Sequence, residues 1–396
     1  MMTPLRITAM TAISAIGTGL AETRAALHAR RGGLAPCTLP GMPTGIWTGQ
    51  LRDADLAPIP EPLAAFDCRN NRIAEAALRL DGFAAAVLDA RERLGAARVA
   101  VILGTSTSGI EETERGYAQR DAQGALPASF DYARTHDLHS LPRYVRARLG
   151  LRGPALSIST ACTSGALTLL EAARMIEVGI ADAVVAGGAD SLCRLTLHGF
   201  ASLELLSRGA CRPCSADRDG ICIGEAAGLL LLERATPRDS GGLGLLGAGA
   251  SSDGHHMSSP HPDGLGALAA MRAALASAGL APAQIDFVSM HGTGTRANDA
   301  MEDRAIAQLF GDAVPASSTK GYTGHTLGAS GALEAVFAGL CIEDGLIPGC
   351  LNIEAGDPGF ATRIAVGNGT GRVDRVLKNA FGFGGSNVSL VIGRLA

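Results

Sequence analysis

The chain has 396 residues, of which 47% are hydrophobic and 18% are charged, and its 52 glycines are typical of a compact α/β enzyme with many tight turns. A formal charge of -4 without any Lys/Arg-rich block argues against a nucleic-acid binder, which needs a basic surface to neutralise phosphates. No run approaches the ~18 apolar residues that a membrane span requires. Nine cysteines without a signal peptide predict a soluble protein of the reducing cytoplasm.

Apolar stretches rich in Val, Ile and Leu alternate along the chain with amphipathic helical stretches, which predicts mixed sheets covered by helices, an α/β fold. The predicted strands lie at residues 6–17, 99–104, 155–160, 182–187, 228–233, 244–252, 286–291, 314–319, 376–381 and 388–393. Helices are predicted between Cys162 and Gly179 and over 330–344. The polar residues 111–146 predict an insertion with surface helices rather than core.

Residues 236–244 (TPRDSGGLG) form the best internal boundary, because Pro, Asp, Ser and Gly cluster there between two apolar segments. The boundary divides the chain into an N-terminal half, residues 1–240, and a C-terminal half, residues 241–396. Each half opens with a short strand that runs into small residues, at 6–17 and at 244–252. This similarity is consistent with an internal duplication.

Cys162 stands where a predicted strand turns into a predicted helix. Such a position directs unpaired backbone N–H groups and the positive end of the helix dipole at the sulfur, which favours a reactive thiolate. The alternative is a small buried core residue, which is how most free cysteines behave. The residues around Cys162 leave both interpretations open.

Two histidines follow the ends of later predicted strands. His291 opens the segment HGTGT, and His325 ends the segment SSTKGYTGH, whose glycines permit close approach of a ligand. A single histidine of this kind is usually structural, but the two together with Cys162 favour a catalytic site. The later segment NAFGFGGSN (379–387) has backbone N–H groups suited to an oxyanion and a phenylalanine, Phe383, that would gate a pocket, although an ordinary hairpin has similar glycines.

Four segments together resemble the signature blocks of one enzyme family. TACTSG (160–165), HGTGT (291–295), SSTKGYTGH (317–325) and NAFGFGGSN (379–387) are similar to the blocks of the β-ketoacyl-acyl-carrier-protein synthases, in the same order. The likeness continues through 211–228 and 251–260 and covers nearly the whole chain. The resemblance implies the thiolase fold, in which two βαβαβαββ halves stack as α-β-α-β-α layers, and a dimer.

The resemblance also implies a reaction. Cys162 would accept an acyl group from acyl carrier protein, and His291 and His325 would assist the decarboxylation of malonyl-acyl carrier protein. The carbanion would then attack the acyl thioester, with the oxyanion held by the backbone amides of Cys162 and Phe383. The remaining implied site residues are the charged Lys320 and Glu302, the supporting Phe381, and the phosphopantetheine contacts Thr293 and Thr295. No metal or nucleotide cofactor is implied.

Two features depart from the family pattern. Cys211 and Cys214 form a CxxC motif with Cys193 and Cys222 nearby, but the second spaced pair that a structural zinc site usually needs is absent, so we expect no metal site. Thr107 stands approximately where some relatives have a larger apolar residue across the acyl pocket. We therefore expect room for a longer, stiffer or more polar acyl chain.

Residues 187–206 and 211–228 additionally resemble the ketosynthases of aryl polyene clusters. That likeness would imply polyunsaturated acyl chains and a heterodimer with a chain-length factor, instead of ordinary fatty acid elongation by a homodimer. Both pathways and both assemblies stay open from the sequence.

Rival functions are less consistent with the residues. A chain-length factor would lack the set Cys162, His291, His325 and Lys320, and a thiolase would carry a second reactive cysteine near the C-terminal glycine turn. The third class of ketoacyl synthase would have Asn in place of His325. A papain-like hydrolase would need no second histidine, and a non-catalytic scaffold that binds carrier protein would need none of these groups.

Overall fold

The computed structural model describes residues 1–396. Sixteen strands are present: β1 Leu5–Ser14, β2 Gly17–Thr18, β3 Ala35–Pro36, β4 Trp47–Gly49, β5 Val99–Gly104, β6 Ala155–Ile158, β7 Ala183–Asp190, β8 Ile223–Gly224, β9 Ala226–Arg234, β10 Leu243–Ser252, β11 Phe287–Ser289, β12 Ala316–Ser317, β13 Leu346–Ile347, β14 Gly369–Thr370, β15 Arg375–Gly382 and β16 Ser386–Arg394. Eleven α-helices accompany them: α1 Leu20–His28, α2 Arg69–Leu78, α3 Phe83–Leu94, α4 Ile110–Ala118, α5 Ser140–Arg148, α6 Ser164–Glu177, α7 Arg194–Ser202, α8 Leu265–Ala278, α9 Arg296–Phe310, α10 Lys320–Thr323 and α11 Ser330–Asp344. No helix has both the length and the apolar character needed to cross a membrane.

The large sheet repeats one topology in the two parts of the chain. Its strand order is β6-β5-β7-β9-β1 on one side and β12-β11-β15-β16-β10 on the other. In both series the first three strands are mutually parallel and the last two pair antiparallel. The two series join only through a short β1–β10 pairing, Leu5 with Leu245 and Arg6 with Gly244. The first series ends in the chain with β9 at Arg234 and the second begins with β10 at Leu243, and the division of the chain near residue 240 stays a prediction.

Helices cover both outer faces of the sheets and also fill the space between them. One apolar cluster joins α2, α3 and α5 to β5, β7 and β9, and another joins α8 and α9 to β11, β15 and β16. The largest cluster contains α6 and α11 with strands of both series. The predicted five-layered α-β-α-β-α arrangement is therefore confirmed.

The two central helices have different surroundings. The α6 helix is amphipathic, with Leu169, Leu170 and Ile176 buried, as the spacing of its apolar residues predicts. The α11 helix spans the predicted range, but Ser330 through Ile342 are all buried because sheets and helix α6 enclose it on every side. Polar residues of α11, such as Glu334, are therefore placed in the interior.

The segment 111–146 differs in part from the prediction of surface helices. Helix α4 has a single buried residue, Gly116. In α5, however, Leu141, Tyr144 and Val145 belong to the apolar cluster beneath the first sheet. Their i, i+3, i+4 spacing gives the helix one apolar face, which the polar composition of the whole segment concealed.

Several strands end earlier than predicted, just before the candidate site residues. Strand β6 ends at Ile158, β11 at Ser289 and β12 at Ser317. Met290 still donates to Ser317 of β12, but the N–H groups of His291 and Ser318 have partners outside the sheet. His291 donates to Glu302, and Ser318 donates to the sulfur of Cys350. The chain thus leaves the sheet at the positions where the functional side chains begin.

Candidate active site

Cys162 lies in the turn between β6 and α6, just before the first helical residue. The preceding Ala161 has a left-handed φ of 52°, a conformation that costs a non-glycine residue on the order of 1 kcal/mol or more. Its carbonyl oxygen accepts hydrogen bonds from the hydroxyls of Ser106 at 3.2 Å and Ser164 at 2.5 Å, which hold the turn. The turn thereby presents the sulfur at the N-terminus of α6.

The Cys162 thiol is buried, with 7% of the residue exposed. Burial raises its pKa to about 12, against the opposing effects of Lys320 and of the amides of Phe383 and Cys162 itself. Desolvation penalises the charged sulfur more than these groups stabilise it, which favours the thiol over the thiolate.

His291 and His325 meet edge to face beside this sulfur. Their ring centroids are 5.2 Å apart with an interplanar angle of 86°, and both residues are buried. Burial first, and then the charge of Lys320, hold the pKa of both histidines well below the ordinary value of 6.5. Both rings are thus neutral at physiological pH.

Lys320 determines which nitrogen of His291 carries the proton. The Lys320 Nζ lies 3.5 Å from Nδ1 of His291 and 2.6 Å from the carboxylate of Glu334. An ammonium group can only donate, so Nδ1 accepts and the ring proton resides on Nε2. Neither ring nitrogen of His325 has a hydrogen-bond partner, although both are buried. Nε2 of His291 and the ring of His325 are therefore available to a ligand.

Glu302 fixes the backbone at His291. This fully buried carboxylate on α9 accepts hydrogen bonds from the N–H groups of His291 and Gly292, both at 2.8 Å, and from the side chain of Asn379 at 3.2 Å. Burial raises its pKa to about 7 against the effect of those donors. Glu302 acts on the site through the backbone and does not line the cavity.

A cavity of about 430 Å³ brings most of the predicted site residues together. Among the residues that line it are Cys162, His291, Thr293, Thr295, His325, Phe381 and Phe383. Lys320, Glu302 and Thr107 are not among its lining residues. The first two lie behind the histidines, where they act as supports.

The C-terminal glycine turn packs directly on the Cys162 turn. A Cβ atom on Gly382 would lie 3.1 Å from the carbonyl oxygen of Thr160 and 3.3 Å from the amide nitrogen of Cys162. Glycine at this position therefore permits the approach that brings the Phe383 amide to the Cys162 sulfur. Two backbone N–H groups converge there, as an oxyanion hole requires.

The two phenylalanines of this turn have separate neighbours. The Phe381 ring packs edge-on against His291 at a centroid distance of 5.8 Å. The Phe383 ring contacts Phe200 of α7 at 5.7 Å, and both line the cavity. Phe383 together with Phe200 therefore forms an aromatic wall over Cys162.

Thr293 and Thr295 form a polar pair in the same cavity. Their hydroxyl oxygens are 2.9 Å apart. Thr295 also caps α9 by accepting a hydrogen bond from the N–H of Asn298 at 3.4 Å. The pair is therefore placed to contact a polar ligand, and Thr295 has a structural role as well.

Thr107 lies outside the cavity, on the loop after β5. Its hydroxyl donates to the fully buried Asp190 at 2.9 Å, and its N–H donates to the same carboxylate. Asp190 also accepts hydrogen bonds from Thr105 at 2.6 Å and from the N–H of Gly328 at 2.5 Å. Asp190 thus joins the Thr107 loop to the loop that follows His325.

The cysteines of the CxxC motif face different neighbours. The Cys211 thiol donates to the carbonyl of Lys320 at 3.2 Å, whereas the Cys214 sulfur lies 3.7 Å from the sulfur of Met290. The N–H of Cys211 donates to the sulfur of Cys222 at 3.2 Å. No group of three or more His, Cys, Asp or Glu residues in the structure is arranged to hold a metal ion.

Sequence reasoning missed Glu334, Asp190, Phe200 and Lys378. Three of them carry a signal in the sequence, because Glu334 is a charged residue inside the apolar segment 331–342, Asp190 follows the apolar run 183–189 and Lys378 lies within the predicted strand 376–381. Asp190 and Phe200 acquire their partners from distant parts of the chain.

Two family models match the chain over most of its length. The model described as Beta-ketoacyl synthase, N-terminal domain, matches residues 71–237, and the model described as Beta-ketoacyl synthase, C-terminal domain, matches residues 244–354.

Curated relatives carry the same type of name. The 3-oxoacyl-(acyl-carrier-protein) synthase 2 of Rhizobium meliloti (strain 1021) is 38% identical over 313 residues, which are 74% of this chain and 73% of that protein. The 3-oxoacyl-(acyl-carrier-protein) synthase 2 of Coxiella burnetii (strain RSA 493 / Nine Mile phase I) is 33% identical over 417 aligned residues, 98% of each chain.

Among solved structures, the chain is similar to the ketosynthase ApeO, determined in complex with its chain length factor ApeC, from Xenorhabdus doucetiae. The two share 38% identity with a TM-score of 0.90 over 99% of this chain and 98% of that one. With the Cys-His-His cavity and the repeated sheet topology, these similarities identify the chain as a member of the β-ketoacyl synthase family of acyltransferases.

Proposed function

We propose that the protein transfers an acyl group from acyl carrier protein to Cys162 and condenses it with malonyl-acyl carrier protein to give β-ketoacyl-acyl carrier protein. The observation that carries the proposal is the shared cavity of Cys162, His291 and His325, with the amides of Cys162 and Phe383 directed at the sulfur. The names of the curated relatives support acyl carrier protein as the partner.

The first half-reaction forms a thioester on Cys162. The sulfur attacks the carbonyl carbon of the acyl-carrier thioester, and the amides of Cys162 and Phe383 stabilise the oxyanion. The carbon–sulfur bond to the phosphopantetheine arm then breaks, and the departing thiol takes up the proton that the Cys162 thiol loses. Thr293 and Thr295 contact the arm in this proposal.

The second half-reaction forms the carbon–carbon bond. The bond between the malonyl carboxylate and its methylene carbon breaks, carbon dioxide leaves, and the electron pair passes into an enolate. The neutral rings of His291 and His325 donate hydrogen bonds to the enolate oxygen, and the Lys320 contact leaves the His291 proton on Nε2 for this purpose. The carbanion attacks the acyl carbonyl and expels the Cys162 sulfur as a thiolate. The thiolate takes up a proton from water, which replaces the one that left with the carrier thiol in the first half-reaction.

A reconstituted assay tests the division of roles. Acyl-acyl carrier protein and malonyl-acyl carrier protein are supplied, and carbon dioxide and a chain longer by two carbons are measured. We expect Cys162→Gln to release carbon dioxide without condensation, and His291→Ala and His325→Ala to acylate Cys162 while decarboxylation is lost. Cys37→Ser, which alters a cysteine outside the cavity, serves as the matched control. Acyl hydrolysis without chain extension would contradict the proposal.

We propose that the acyl substrate is a polyunsaturated chain. We also propose that the protein acts in the cytoplasm. The support is the likeness of residues 187–206 and 211–228 to the aryl polyene ketosynthases. Ordinary fatty acid elongation is the alternative, and mass spectrometry of the acyl group trapped on Cys162 distinguishes the two.

Thr107 provides a test of acyl selection. We expect Thr107→Ile to shorten the preferred acyl chain, because the added bulk lies on the loop beside Cys162. Thr107→Val is the control, since it removes the hydrogen bond to Asp190 with little change of size. Competition between carrier-bound acyl chains of different length gives the readout, and an unchanged length preference in Thr107→Ile would defeat the hypothesis.

A further inference from the structure

Lys378 is a fully buried lysine in the middle of β15, and the proposed mechanism does not use it. Its side chain is 0% exposed. Lysine is almost never buried to this extent unless it is paired, because removal of an ammonium group from water is costly. Lys378 therefore requires a specific explanation.

The partner of Lys378 is the carboxylate that also binds Lys320. The Nζ of Lys378 lies 2.6 Å from one oxygen of Glu334, and the Nζ of Lys320 lies 2.6 Å from the other. Lys378 also donates to the carbonyl oxygen of Asn379. Two lysine side chains thus share one carboxylate. Burial lowers the pKa of Lys378, and the charge of Glu334 opposes that effect. With both lysines protonated, the cluster carries one positive charge that no acidic group in it balances.

We propose that Lys378 is a positioning residue of the condensing site, which holds Glu334 in place between two lysines and adds positive charge that, together with burial and Lys320, keeps His291 and His325 neutral. Nδ1 of His291 can accept a hydrogen bond only while the ring is neutral, because a protonated ring has no free lone pair. This hydrogen bond leaves the His291 proton on Nε2. The inference rests on the proposed function for the role of the two histidines.

The electrostatic surroundings of the two rings are consistent with this role. The titratable groups of the elements around them are Cys162 before α6, Asp190 of β7, Glu302 of α9, Lys320 of α10, Glu334 of α11 and Lys378 of β15. Lys378 contributes to the lowered pKa of both histidines, after burial and Lys320 for His325, and after burial, Lys320 and His325 for His291. The single negative charge of Glu334 lies between two lysines, so it cannot neutralise the positive charges of both.

The test replaces Lys378 by methionine, which has similar length and no charge. Glu334 keeps Lys320, so no buried charge is left unpaired and we expect the variant to fold. Loss of the positive charge should raise the pKa of both rings by about one pH unit, the size of a unit-charge effect over several ångströms in a protein interior. The acid limb of malonyl-acyl carrier protein decarboxylation should then move to higher pH by the same amount.

Two readouts separate the inference from the proposed function. Carbon-13 NMR of labelled histidine follows the two rings directly, and carbon dioxide release follows the reaction. Arg375→Met is the matched control, because it removes one positive charge from the same strand at a partly exposed position, and we expect no shift with it. Lys378→Arg keeps the positive charge, so the acid limb of its decarboxylation pH profile should lie at the same pH as in the wild-type protein.

The outcomes are distinct. Unchanged ring titrations in Lys378→Met, with only a lower free energy of unfolding, would overturn the inference and leave Lys378 a structural residue. Ring titrations that move while decarboxylation does not follow them would instead contradict the role proposed for the histidines. If Lys378→Arg fails to fold, the comparison of Lys378→Met with Arg375→Met still decides the question.

Discussion

Burial shifts the pKa of Cys162, the proposed nucleophile, and the pKa values of the two histidines in opposite directions. It raises the pKa of Cys162 to about 12 and lowers the pKa of His291 and His325, because in each case the charged form loses its hydration. The resting site thus combines a thiol with two neutral rings. That combination suits a site that stores an acyl group covalently and donates hydrogen bonds to an enolate.

The buried histidines should make stability fall in acid. Their folded-state pKa lies below the unfolded value near 6.5, so below that pH the unfolded chain binds more protons than the folded chain. Each histidine then lowers the free energy of unfolding by up to about 1.4 kcal/mol per pH unit as the pH falls from 6.5 towards the folded pKa. Urea unfolding between pH 7.5 and 5 measures this slope.

Variants identify the source of that slope. His291→Asn combined with His325→Asn should flatten it, whereas His198→Asn, on exposed α7, should leave it unchanged. Glu302 contributes in the opposite sense, because its pKa is raised to about 7 and its stabilisation grows as the pH falls. Glu302 is present in all variants, so the difference between them isolates the histidines. An unaltered slope in the double variant would refute the explanation.

At the scale of elements, the contact between α6 and α11 sets the distance between the two halves of the site. Helix α6 begins just after Cys162, and the loop before α11 carries His325. Small residues allow the close contact: a Cβ on Gly165 would lie 2.7 Å from the carbonyl oxygen of Gly328. The packing of two helices therefore decides whether the sulfur and the imidazoles share one cavity.

Gly165→Val tests this contact. The added atoms should force the start of α6 away from Gly328, at a cost of about 1–3 kcal/mol in the free energy of unfolding. We expect condensation, which needs both halves of the site, to fall at least tenfold, and decarboxylation, which depends on the histidines, to fall less. Gly199→Ala in α7, where no atom lies within 4 Å of the added Cβ, should preserve both activities. Equal losses of the two activities in Gly165→Val would argue against the proposed geometry.

At the scale of the whole molecule, the long sheet ends in an edge strand, β6, which is paired on one side only. Strand β6 pairs only with β5, and its outer edge leaves backbone groups free beside Leu156, which is 43% exposed. An exposed sheet edge with apolar side chains is suited to pair with another chain. We expect this edge of β6 to pair with a second condensing-enzyme chain.

Leu156→Lys should weaken this assembly, because a charge at the edge opposes strand pairing. Sedimentation velocity is the measurement, and we expect the two-chain species to dissociate while the free energy of unfolding of the single chain changes by less than about 0.5 kcal/mol. Val178→Lys changes another exposed apolar residue, which is 68% exposed at the end of α6, and should leave the assembly intact. Persistence of the two-chain species in Leu156→Lys would exclude β6 as the interface.

The sequence by itself determined the α/β class, the extent of α11 and the identity of the candidate nucleophile, because these depend on local periodicity and on short motifs. It missed the core face of α5, because the polar composition of the surrounding segment concealed the local spacing of its apolar residues. It also missed the early strand ends, which depend on partners outside the strands, such as the Cys350 sulfur for the Ser318 amide.

Only the tertiary structure decided the protonation states and the supporting charges. Whether Cys162 is a thiol and whether His291 is neutral depends on desolvation and on charges brought in from other elements. Glu334 and Lys378 are 44 residues apart in the chain, yet their ion pair forms at the back of the site. Such effects follow from distances in three dimensions, which no local pattern of residues contains.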